Sequence, residues 1–323
     1  MNKNRKFTDV YNEHEKLQNR KQESLKKLHL IRKEFEQKEI FNDSDLSVFA
    51  AGSLGRFEYG KKSDLDLFLI SQEKNFSRLS EIKIYSELIS INKKLGFDDF
   101  SNDGQFLKIY NIENLTKEIG SSIEDSENLF TTRMLFLLES QFLSNSETRI
   151  KQLKQIVSYY YKDNEDTENF RPLFLLNDIL RFWRTLCLNY EYTRGDSNRP
   201  WKKKNLNLKF SRMLTVYSTV LPLISGFISE EEELIKLLDI PPLERLSKGL
   251  DSLKSTQLLC KDYDTFLSNY EYFIHTKETA DLSKMDEKTK KCLNNKAKEF
   301  SAFLYKALND NSVSEEYRQY LVI

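Results

Sequence analysis

The chain has 323 residues, and 50 Lys plus Arg are balanced by 50 Asp plus Glu. That length supports two domains with cores of their own, and zero formal charge argues against a broad field for an extended nucleic-acid duplex. No apolar run approaches bilayer length, residues 1–6 lack the apolar core of a secretory signal, and Cys187, Cys260 and Cys292 are few and far apart, so the reading is a cytoplasmic protein with no membrane segment and reduced thiols.

Taken in chain order, residues 7–40 hold no Gly or Pro, while Leu17, Leu25, Leu28, Ile31 and Phe35 recur at helical intervals. This predicts an amphipathic helix, and with the break at Asn42-Asp43-Ser44-Asp45 it makes residues 1–45 an N-terminal spine. Residues 46–51 are apolar and predict a first strand, Gly52-Ser53 a turn, and residues 54–59 a helical turn. A second apolar run opens at Asp64-Leu65-Asp66-Leu67. On extended backbone alternate side chains share a face, so both acids project one way and both leucines the other. Two acids at the edge of a buried strand repel each other and lose hydration unless a cation joins them. Mg²⁺ suits that pair, because it accepts one or two carboxylates and takes its other ligands from water and phosphate. Backbone N–H groups at Gly52 and Ser53, leading into a helical turn, form a cradle for phosphate oxygens.

Further along, residues 77–95 read as a helix closed at Gly96, and 105–110 as a strand. Residues 126–144 read as a helix too continuously apolar for a surface position, and 149–161 as another helix. The core is thus expected over residues 46–161, with the polar stretch 162–169 as a linker. Residues 170–323 read as helical, with segments at 172–192, 205–221, 230–238, 243–259, 263–275 and 287–308. With His14, His29 and His275 alone, neither a zinc cluster nor a Ser-His-Asp triad is expected.

Gly52-Ser53, then ten residues, then Asp64-Leu65-Asp66 resembles the signature of the DNA polymerase β-like nucleotidyltransferase superfamily. The longer form, Gly52-Ser53-Leu54-Gly55-Arg56-Phe57-Glu58 with Ser63-Asp64-Leu65-Asp66-Leu67, is similar to two branches. One contains the bacterial uridylyltransferases that modify nitrogen-regulatory proteins. The other contains the nucleotidyltransferases of anti-phage signalling systems, relatives of cyclic GMP-AMP synthase. The resemblance implies an α/β (α+β) nucleotidyltransferase core with a mixed sheet, followed by an all-α helical domain. It implies transfer of a nucleoside monophosphate from an NTP or dNTP, ATP among them, to a hydroxyl, with two Mg²⁺ ions (or Mn²⁺) held by Asp64, Asp66 and a third carboxylate. Asp103 is the candidate for that third acid, with Asp98 and Asp99 as competitors.

The family also supplies cations from its helical half. Here Lys209 and Arg212 share a helix face, and Lys203 precedes them; the alternative for all three is a solvated basic face. Arg56 is a candidate phosphate ligand, with Glu58 as its pairing partner. Asn177, Arg181 and Arg184 form a polar stripe whose partners are either the nucleotide or Glu139 and its neighbours, and Trp183 and Trp201 either stack on a base or fill the core. The leading expectation for the product is a signalling nucleotide or oligonucleotide in anti-phage defence, with an effector protein encoded nearby as partner. A second reading is modification of a protein hydroxyl, including Tyr317 or Tyr320 of the tail as acceptor or primer. A third is an antitoxin or partner-binding module.

Overall fold

A computed structural model describes residues 5–42, 45–72, 76–100, 104, 107–164, 170–194, 201–254, 256–282 and 284–322. The chain divides into two compact units, one of Arg20–Glu165 and one of Met1–Asn19 with Asp166–Ile323. The N-terminal stretch is two helices, α1 (Phe7–Glu13) and α2 (Glu15–Glu36), parted at His14 rather than running as one.

The first unit is built on a mixed sheet. Its elements follow as β1 (Leu46–Ala50), α3 (Gly52–Gly55), β2 (Leu67–Ser71), α4 (Arg78–Lys94), β3 (Ile109–Asn111), α5 (Ile112–Lys117), α6 (Ser122–Ser126), α7 (Leu129–Glu139), β4 (Gln141–Ser144) and α8 (Ser146–Tyr160). The strand order is β3-β2-β1-β4. β1 is antiparallel to both β2 and β4, while β2 and β3 run parallel. β1 is buried along its whole length, so its sequence shows no polar alternation. Val48 and Ala50 join a core with Ile31 and Phe35 of α2 and Ile84 and Leu88 of α4. Phe49, on the opposite face, stacks on Phe68 at 5.4 Å and meets Phe136 of α7 edge-on at 5.0 Å. Helices therefore cover both faces of the central strand.

The expected helix over residues 126–144 ends at Glu139, and its last residues form β4 instead. Register with β1, Phe49 opposite Phe142 and Ala50 opposite Gln141, gives the backbone of that short stretch its partners. The expected strand at 105–110 is confined to Ile109–Asn111 among the described residues. α4 begins at the Ser77 cap, whose hydroxyl accepts from the Ser80 N–H, and is followed by Gly96 at φ +71°.

The second unit is helical. After α1 it comprises α9 (Leu173–Thr193), α10 (Trp201–Asn207), a π-turn at Leu208–Arg212, α11 (Met213–Ile224), α12 (Glu231–Leu238), α13 (Pro242–Asp251), α14 (Thr256–Thr279), α15 (Glu287–Leu308) and α16 (Glu315–Gln319). The helices expected at 243–259 and 263–275 are instead α13 and the longer α14. α1 is tied here by Asp251, which accepts from the Phe7 N–H at 2.6 Å and the Thr8 hydroxyl at 2.8 Å, an acid placed where the helix dipole favours it. Its core is aromatic: Phe266 stacks on Phe300 at 4.0 Å and Phe210 on Phe273 at 4.5 Å. Buried Arg245 donates to the carbonyls of Leu237, Leu238 and Ile240, closing the end of α12. No helix among the described residues is long and apolar enough to cross a membrane.

Candidate active site

The site begins where β1 ends. Gly52 adopts φ +65°, and a Cβ placed on it would lie 2.2 Å from Asp66 Oδ2. Only glycine tolerates both the left-handed backbone and that approach. The turn after β1 is thereby pressed against the carboxylate that precedes β2, and the Ala51 N–H donates to the Asp66 carbonyl at 3.0 Å, extending the strand pairing by one step. Leu65 and Leu67 are buried in the core, whereas Asp64 is exposed and Asp66 half-buried. The alternation expected from extended backbone thus holds, although the acids precede the hydrogen-bonded part of β2 rather than lying within it.

Ser53 is 7 % exposed, and its hydroxyl has no hydrogen-bond partner among the described residues. A buried hydroxyl without a partner is uncommon and points to a group that completes it. Gly55 packs so closely on α7 that a Cβ would lie 1.7 Å from the Glu139 carbonyl oxygen.

Glu139 holds the turn from beneath. Its Oε1 accepts from the Gly52 N–H at 3.2 Å and its Oε2 from Arg56 Nη1 at 2.8 Å. Arg56 Nε also faces Glu58 Oε2 at 3.0 Å, and all three side chains are buried. The expected pairing of Arg56 with Glu58 is present. The guanidinium expected to meet a phosphate is instead enclosed between two carboxylates, and the Gly52 N–H expected in the phosphate cradle is engaged by Glu139. The clamp itself escaped the sequence because Glu139 lies more than eighty residues downstream of the turn, with nothing in its own neighbourhood to mark it.

The acids open into a cleft lined by Asp64, Asp66, Asp98, Asp99, Phe100 and Gly104. Asp98 and Asp99 thus stand beside the pair, and neither they nor Asp64 form an ion pair with any described residue. Asp103 lies outside the described residues. Among the described residues no three His, Cys, Asp or Glu side chains gather closely enough to hold a metal by themselves.

The candidates of the helical unit occupy α9, α10, the π-turn and the tail. Lys203 is exposed, and Arg212 is partly buried at the end of the π-turn. Lys209 is partly buried and donates to Asn294 Oδ1 at 3.0 Å; burial, reinforced by Lys298, lowers its pKa. On α9, Arg181 lies 3.9 Å from Asp178, and the Trp183 ring meets Tyr217 edge-on at 5.7 Å. The side chain of Trp201 lies outside the described residues. Tyr317 lies on α16 with its ring 5.8 Å from the Arg171 guanidinium, and Tyr320 closes that helix.

No family model matches the chain, and neither a curated protein nor a solved structure does.

Proposed function

We propose that the chain is a metal-dependent nucleotidyltransferase with a polymerase β-like core, moving a nucleoside monophosphate from an NTP or dNTP to a hydroxyl with release of pyrophosphate. The observation that carries this is the meeting of Gly52 with Asp66: a glycine turn at φ +65° lies directly against one member of a carboxylate pair, beside the buried, unpartnered hydroxyl of Ser53. A mixed sheet and a helical portion are compatible with such a core.

The donors fit Mg²⁺. They are carboxylate oxygens, two of them on alternate residues of extended backbone, and a hard ion that keeps water and phosphate in its other positions needs no closed protein cage. Bound there, Mg²⁺ would offset charge on the departing pyrophosphate and acidify the attacking hydroxyl. The chain's own residues do the positioning. Asp64 and Asp66 fix the cation and substrate relative to the turn, with Asp98 and Asp99 lining the same cleft. The Ser53 hydroxyl donates to a phosphate oxygen, taking the role that the engaged Gly52 N–H cannot. Glu139 and Arg56 hold the turn in its working geometry before substrate arrives, which is where such catalysis derives most of its effect.

The acceptor read here is the hydroxyl of another nucleotide, giving a signalling nucleotide or short oligonucleotide. Incubation with each NTP and dNTP plus Mg²⁺, followed by mass analysis of small molecules and intact protein, tests this. Linked nucleotides are expected; a protein mass raised by one nucleotide would move the acceptor to a side chain, and unchanged nucleotides would remove the activity.

A further inference from the structure

The helical unit contains a pocket of its own, lined by Lys202, Asn205, Leu206, Lys209, Lys290 and Asn294. Lys209 is its informative member. It sits in the π-turn Leu208–Arg212, a winding rare in helices and concentrated at functional sites. Its ammonium is partly buried and meets a neutral carboxamide, Asn294, at 3.0 Å, and no described carboxylate pairs with it. Withdrawing a cation from water without an anion is costly, and its lowered pKa registers that burial together with the neighbouring Lys298.

The nearby acids do not relieve it. Glu287 pairs with Lys290 at 3.0 Å, and the Asp286 carboxylate caps α15 through the Thr289 N–H and hydroxyl at 2.9 and 2.7 Å. Among the described residues Lys209 is thus left without an anion, and Lys290 beside it holds only the exposed Glu287; the cavity suits an anionic ligand, and an ammonium is a strong partner for phosphate as a point charge.

We infer that this pocket binds a phosphate-bearing small molecule, with the Lys209 and Lys290 ammonium groups on its phosphate oxygens and the Asn205 and Asn294 carboxamides beside them. All of these groups belong to the helical unit, so the site stands independently of the nucleotidyl-transfer reading.

The test is calorimetric titration of the full chain with tripolyphosphate in EDTA, which keeps metal chemistry out of the readout. Saturable binding is expected, weakened at least about tenfold by Lys209→Met and by Lys290→Met, as loss of a charge-assisted hydrogen bond requires. Lys204→Met, at an exposed lysine of α10 that does not line the pocket, should leave it unchanged. Lys290 lies towards the surface, so its variant remains informative if Lys209→Met lowers the melting temperature. Absence of saturable binding, or equal weakening by Lys204→Met, would overturn the site. Pyrophosphate release is measured separately with Mg²⁺, so failure of this pocket and failure of the active-site reading are distinguishable.

Discussion

The cleft beside the glycine turn and the pocket beside the π-turn both sit at departures from regular backbone, yet they collect opposite charge. The first gathers Asp64, Asp66, Asp98 and Asp99; the second gathers Lys202, Lys209 and Lys290. A chain whose charges sum to zero still gathers acids at one of these places and lysines at the other. The difference teaches that overall charge informs about broad surfaces, whereas a site is read from the like charges that converge on one cavity. The ligands proposed follow that division, a hard cation for the first and a phosphate group for the second.

The comparison can be broken most forcefully at the clamp beneath the acidic cleft. Glu139→Ala removes one partner of a buried ion pair and should destabilise the protein by about 3–5 kcal/mol in urea unfolding; a variant as stable as the native protein would show that Glu139 does not hold the turn. Metal addition and removal probe the cleft itself. Saturating Mg²⁺ should raise stability, by about 2.7 kcal/mol at a hundredfold excess over its dissociation constant, and EDTA should reverse this. Asp66→Asn should abolish the effect, while Lys209→Met should not.

Gly52→Ala forces a left-handed backbone on alanine and a methyl group onto Asp66. It should cost about 1–3 kcal/mol and lower pyrophosphate release by about a hundredfold, leaving tripolyphosphate binding in the helical unit intact. The smallest effect is a titration in the helical unit. His14 Nδ1 lies 3.0 Å from Glu271 Oε1 and Nε2 3.2 Å from Asp264 Oδ1, contacts that raise its pKa above the ordinary 6.5. The stabilisation is therefore fully present below about pH 6.5 and lost as pH rises through the raised value. Thermal melts from about pH 6 to 8.5 should show this decline, and His14→Gln should flatten it.

Much of the acidic cleft was legible because its signals are local. Gly52, the alternation of Asp64 and Asp66 with buried leucines, and the Gly96 cap of α4 depend on neighbours within a few residues. β4 was not legible, since Gln141–Ser144 continues an apolar run and becomes a strand only by pairing with β1. Likewise the Arg56–Glu139 pair joins distant segments, so Arg56 looked available to a phosphate. The π-turn carries no breaker residue that would mark it, and the pocket at Lys209 needs α15 folded beside it before its lysines converge.

Pyrophosphate release decides the central claim most directly. The native chain and Asp66→Asn would each be assayed with Mg²⁺ and every NTP and dNTP, with melting temperature recorded for both. Nucleotidyl transfer through the Asp64–Asp66 pair predicts release from at least one nucleotide by the native chain, and at least about a hundredfold less by a variant that melts normally. Equal release from the variant, or none from the native chain with any nucleotide, would contradict it.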